Sequence, residues 1–114
     1  MAITGTHALL YTSKPDELRA VLRDAFGWDH VDAHEGWLIF KLPPGEVAIH
    51  PADVPAHEIS FMCDDVHATI AELSSKGIVF EGEPQDQRWG STVTMVLPGD
   101  VKVLLYEPRH PTAI

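Results

Sequence analysis

Two helix-like segments closed by glycines 50 residues apart, Gly27 and Gly77, set the frame for the whole chain. In the first, over Lys14–Gly27, the apolar residues Leu18, Val21, Leu22, Ala25 and Phe26 recur at the spacing of one helical stripe. Ser13 with Asp16 reads as a capping pair, Pro15 suits a first turn, and Gly27 suits the left-handed position after a helix end. The second, from about Asp65 to Gly77, repeats the plan, with Asp64 or Asp65 as the cap and Val66, Ile70 and Leu73 as the stripe.

Strand-like runs surround each helix in the same order. His7–Thr12 precedes the first helix and Glu58–Cys63 the second; His7 and Glu58 are 51 residues apart. After the helices come Gly36–Leu42 and Glu46–His50 in one half, and Thr92–Leu97 and Val101–Tyr106 in the other. Pro43-Pro44-Gly45 and Pro98-Gly99-Asp100 supply the turns. Val31–Ala33 and Val79–Glu81 read as short additional strands. The pattern is β-α-β-β-β twice within one α+β domain covering 1–114. Module one runs over about 5–51, a proline-containing linker over 51–56, and module two over about 57–108. A half of some fifty residues cannot bury both a helix stripe and a sheet face alone, so the halves are expected to pair. A single α+β unit with coincidental helix spacing is the competing reading.

Composition narrows the partners. Eight basic residues against 17 acidic ones give a formal charge of −9 over 114 residues, and no basic cluster exists. Nucleic acid and anionic membrane surfaces are therefore disfavoured, while neutral or cationic small molecules stay open. The one cysteine, Cys63, cannot form an internal disulfide, and no secretory or membrane-spanning stretch is visible, so a cytoplasmic location is expected. No nucleophile elbow, phosphate loop or paired-cysteine motif occurs.

The strand Glu58-Ile-Ser-Phe-Met-Cys-Asp-Asp65 running into a helix, Trp89-Gly90 before a strand, and the ending Pro98-Gly-Asp-Val-Lys-Val-Leu104 together resemble the vicinal oxygen chelate superfamily. That superfamily includes glyoxalase I, bleomycin-resistance proteins and extradiol dioxygenases, and the likeness runs from about Thr6 to Pro108. It implies two βαβββ modules whose curved mixed sheets form a half-open barrel. In metal-using members the barrel holds a divalent ion (Fe, Mn, Ni, Co or Zn) on His, Gln and Glu from the first and last strands of each module.

Carried over residue by residue, the resemblance puts His7 at the first-strand ligand position of module one and Glu58 at its counterpart in module two. The last-strand glutamate of module two falls on Leu104, an aliphatic residue. In module one it falls on Val47 counted from the strand end, or on His50 counted forward from Pro44. Strand alternation groups His7 with Leu9 and Tyr11, and Glu58 with Ser60 and Met62, leaving Ile59, Phe61 and Cys63 for the helix side. Trp89 reads as a wall of the barrel mouth or as an interface residue. Trp28 and Trp37 read as core or interface, Cys63 as inert, His110 as exposed, and Glu107 as a solvated chain ending.

Two functions follow as expectations. One is a homodimeric small-molecule-binding protein with an incomplete metal site and a cationic or aromatic guest touching Leu9, Tyr11, Ser60, Met62, Trp89 and Leu104. The other is a divalent-metal enzyme of lyase, isomerase or dioxygenase type, with His7 and Glu58 as catalytic residues and His7, His50 and Glu58 as metal ligands.

Overall fold

A computed structural model describes residues 7–46, 48–49 and 51–114. The second half forms a complete βαβββ unit: β3 (Ser60–Met62), α2 (Val66–Ser75), β4 (Val79–Gln87), β5 (Gly90–Leu97) and β6 (Val101–Pro108). These strands make one mixed sheet in the order β3-β6-β5-β4, with β3 parallel to β6 and the other pairs antiparallel. The first half contributes α1 (Pro15–Ala20), a π-helical turn over Val21–Ala25, and the hairpin β1 (His30–His34) and β2 (Trp37–Phe40) as a separate two-stranded sheet. The result is a mixed α+β fold with two sheets, and among the described residues the sheets do not close into a barrel.

The main sheet owes its sidedness to alternation. Val93, Met95 and Leu97 of β5 and Val103 and Leu105 of β6 all point one way and are at most 3% exposed. They pack with Val66 and Leu73 of α2 and with Leu18 and Ala25 from the first helical segment, so both helices share one core. Each such side chain contributes roughly 1.5–3 kcal/mol by leaving water. Phe61 pairs with Leu105 on this face, while Ser60 faces Leu104 and Met62 faces Tyr106 on the other. Ile59, Phe61 and Cys63 accordingly pack against the core, as alternation predicts.

Helix α2 starts where expected: the Asp65 carboxylate accepts the Ala68 amide at 3.0 Å. A second carboxylate helps there, because Glu107 on β6 accepts the Val66 amide at 2.9 Å. Glu107 is therefore a half-buried helix cap rather than a solvated ending, since the strand's 3-residue offset from Leu104 turns it toward the helix.

Several first-half expectations need correction. Residues 7–12 carry no strand; Thr12 instead donates to the Pro98 carbonyl at 2.7 Å, tying this segment to the β5–β6 turn. The first α-helix stops at Ala20 and widens into the π turn, and its cap position is Lys14, with no side-chain cap bond from Ser13. Among the described residues of 46–50 no strand forms; Val47 and His50 lie outside the described residues. β4 is longer than Val79–Glu81 because a register irregularity between Glu81 and Gln85 lets pairing resume as far as Gln87.

Candidate functional site

The free flank of β3 opens onto a hollow of about 1290 Å³ that lies between the two halves. Its walls come from the end of the first helical segment, residues 42–46 and Ala48, β3 and its flanking residues, the inner side of α2, and the C-terminal stretch after β6. Ser60 and Met62 line it from one face of β3 and Phe61 from the other, with Glu58 and Cys63 on the flanking residues, because β3 is short and among the described residues has a neighbour on one side only. His7 lines the same hollow; it and Glu58 are both exposed at its border, and neither lies within a strand.

Aromatic rings form one wall. Phe26, Trp28 and Phe61 contact one another at centroid distances of 5.1 to 5.9 Å, with Phe61 edge-on to both of the others. The π turn and Gly27 (φ 71°) bring this about: the turn ends at Phe26, the chain reverses through the left-handed region, and Trp28 arrives beside it. Sequence reasoning assigned Phe26 to the helix stripe facing the core and Trp28 to core or interface; the signal missed was an aromatic residue on each side of the helix-ending glycine.

A second aromatic group stands at the rim. Tyr106 packs edge-on to Trp89 at 5.3 Å and tilted against His110 at 5.7 Å. Gly90 permits this, since a Cβ there would sit 2.5 Å from Tyr106 Cε2 and 2.4 Å from the Glu107 carbonyl oxygen. Burial, reinforced by the negative charge of Glu46, raises the Tyr106 phenol above its ordinary range. His110, expected to be exposed, is half-buried and lines the hollow.

The electrostatics are one-sided. Glu46, Glu58, Asp64 and Glu107 line the hollow, and among the described residues no lysine or arginine does. The Cys63 thiol is pushed up, first by burial and further by Glu107 and Asp64, against a lowering bond with Thr69. It is thus poorly nucleophilic at neutral pH.

The remaining sequence candidates separate from the hollow. Leu9 and Tyr11 are 57% and 83% exposed and do not border it; Leu104 faces Ser60 across β3–β6 but lies behind the lining, and Trp89 reaches the rim only through Tyr106. Trp37 is also exposed, with the Arg19 guanidinium 5.0 Å above its ring.

Of the metal ligands that the resemblance implies, His7 and Glu58 border the hollow and His50 lies outside the described residues, while Leu104, opposite Ser60, has an aliphatic side chain. Among the described residues no group of three or more His, Cys, Asp or Glu is placed to hold a metal ion.

A hollow on one side of a βαβββ sheet, bordered by the first strand of the module, defines a class, and comparison with known proteins agrees. The family model for the Glyoxalase/Bleomycin resistance protein/Dioxygenase superfamily matches residues 6–109, and the chain belongs to that superfamily. Among solved structures it resembles TnmS3, an antibiotic binding protein from Streptomyces sp. CB03234, with 23% identity, 95% of this chain and 98% of that one covered, and a TM-score of 0.68. It also resembles a lactoylglutathione lyase from Agrobacterium tumefaciens, with 21% identity, 94% and 96% covered, and a TM-score of 0.63. A superfamily member from Sphaerobacter thermophilus DSM 20745 aligns with 17% identity over 94% and 99%, with a TM-score of 0.63. At these identities the likenesses establish the fold. No curated protein matches the sequence. No helix among the described residues is long and apolar enough to cross a membrane.

Proposed function

We propose that the protein binds a small organic cation, or an aromatic molecule, in the hollow beside β3, and that it works as a homodimer in the cytoplasm. The observation that carries this reading is the lining itself: four carboxylates, an aromatic corner, and among the described residues no basic side chain. Carboxylates at the border of low-dielectric space attract cations and repel anions, and the rings supply flat apolar contact and cation–π attraction. Ser60 and Met62 of β3 and the neighbouring Glu58 offer contacts, His7 borders the same hollow, and Trp89 supports the rim through Tyr106. That a fold neighbour is an antibiotic binding protein supports a binding role without indicating a ligand.

The dimer reading draws on apolar side chains left in water on the first half, among them Val31, Trp37 and Ile39. A second copy would cover them.

Titration with a cationic aromatic dye such as thioflavin T tests the ligand reading. Saturable binding is expected, weakening with salt and falling about two- to fivefold in Glu58→Gln, the loss of one exposed charge contact. Binding of the anionic dye ANS with no binding of the cation would overturn it. A second reading, a divalent-metal enzyme using His7 and Glu58, rests on those two residues bordering one space. Stoichiometric Fe, Mn, Ni, Co or Zn, removed by chelator and abolished by His7→Ala, would establish it in place of the first.

A further inference from the structure

The chain after β6 is held at two points of unequal strength. At its base, the Arg109 amide donates to the Trp89 carbonyl at 2.8 Å, and its guanidinium donates to Ser91 Oγ at 2.8 Å and to Asp86 Oδ1 at 3.1 Å. Ser91 is 2% exposed and itself donates to Asp86, so this base is tied into β4 and β5. At the far end, among the described residues, one bond to the rest of the chain holds: the Ala113 amide donates to Glu46 Oε1 at 2.7 Å, across 67 residues of sequence and from one half of the molecule to the other. His110 and Thr112 between these points, and Ile114 just beyond them, line the hollow.

We propose that residues 110–114 are a strap over the hollow, hinged at Arg109 and latched by Glu46, and that a cationic ligand loosens the strap by engaging the latch carboxylate. The second half of this statement rests on the cation-binding reading above; the first does not. Glu46 is suited to both tasks because it accepts the Ala113 amide and also lines the hollow. Its charge is felt at Tyr106, beside which His110 packs, so the latch, the rim ring and the strap are neighbours. A carboxylate is attracted to a nearby positive charge, with or without an N–H to accept from, more strongly than to a neutral amide, so a bound cation competes with the strap. An exposed bond of this kind opens locally without unfolding the rest.

The test separates the two halves of the proposal. Solvent exchange of the Ala113 amide is followed by NMR in the full chain, without ligand and then with thioflavin T. Without ligand, Glu46→Ala is expected to speed exchange about threefold or more, whereas Glu46→Gln, which keeps an amide oxygen as acceptor, changes it less. Equal exchange in the wild type and in Glu46→Ala overturns the latch. With dye bound, Ala113 exchange in the wild type is expected to rise, the reverse of ordinary ligand protection; a fall or no change under saturation overturns ligand-driven opening. Failure of the dye to bind at all counts against the cation reading and with it the ligand-driven opening, while the comparison of Glu46 variants still decides the latch. Amide spectra of each variant show whether the fold is retained.

Discussion

Replacing Gly90 by alanine puts one methyl group where the structure leaves no room. The new Cβ would lie 2.4 Å from the Glu107 carbonyl oxygen and 2.5 Å from Tyr106 Cε2, with Cδ2 at 3.2 Å. Comfortable carbon contacts are about 3.5–4.0 Å, so roughly 1 Å must be found. The carbonyl belongs to β6, held in register by Ser91 against Glu107, and yields only if the start of the ladder opens. The Tyr106 ring can swing instead, which gives up its edge-on contact with Trp89. Overpacking costs about 1–3 kcal/mol and the lost ring pair about 0.5–1.5 kcal/mol, so a loss of roughly 2–4 kcal/mol is expected. In a domain of this size that lowers Tm by on the order of 10–15 °C. Guanidinium denaturation followed by far-UV circular dichroism gives the stability, and near-UV signal reports Tyr106 and Trp89. Gly82→Ala is the control: its φ of 67° carries backbone strain, but a Cβ there meets nothing within 4 Å. It should cost about 1–2 kcal/mol with an unchanged near-UV spectrum. Stability of Gly90→Ala within about 0.5 kcal/mol of wild type would refute the packing argument.

Acid weakens the hinge of the strap. Asp86 is held below its ordinary value of 3.8, first by the Ser91 hydroxyl and then by Arg109. A carboxyl whose folded pKa is lowered adds stability that is present above 3.8 and lost as pH falls through the folded value, so Asp86→Asn should lower stability at neutral pH and flatten the acid limb of a stability-against-pH curve. An unchanged acid limb counts against the network. Cys63, its thiol raised by burial, should react with iodoacetamide at neutral pH more slowly than free cysteine, and denaturant should remove the difference. Faster labelling in the native state would contradict the placement. Light scattering at micromolar concentration should give twice the chain mass of 12.6 kDa, and Trp37→Lys should shift it toward the single chain; a monodisperse wild-type monomer contradicts the dimer reading.

The second half of the fold was legible because its signals are local and mutually consistent. Asp65 capping α2, the Pro98-Gly99-Asp100 turn and the alternation along residues 91–105 each point to one register, and the burial of Met95 and Leu105 follows from it. The first half read less well. Its helix stripe was visible, but nothing in the spacing of Val21–Ala25 announces a π turn, and residues 7–12 have the alternation of a strand yet engage the β5–β6 turn through Thr12. Strand register does not account for His7, since residues 7–12 form no strand; His7 and Glu58 are both exposed residues at the border of the same hollow. Sequence reasoning missed Phe26 and Trp28, whose role depends on the direction of the chain after Gly27, and Glu46, whose partner is 67 residues away. Tyr106 was recoverable, since it lies two residues beyond Leu104 on the same strand and therefore on the same face.

Methionine methyl groups offer the most direct test of where a ligand sits. Met62 and Met95 both border the hollow, one from the β3 face that carries Ser60 and the other from the buried core side. With 13C-methyl methionine labelling, a bound organic cation should shift both resonances and give cross-relaxation to the Met62 methyl. Saturating ligand that leaves Met62 and Met95 unmoved while contacting the exposed Val31 and Ile39 would show that the acidic, ring-lined hollow is not the binding site.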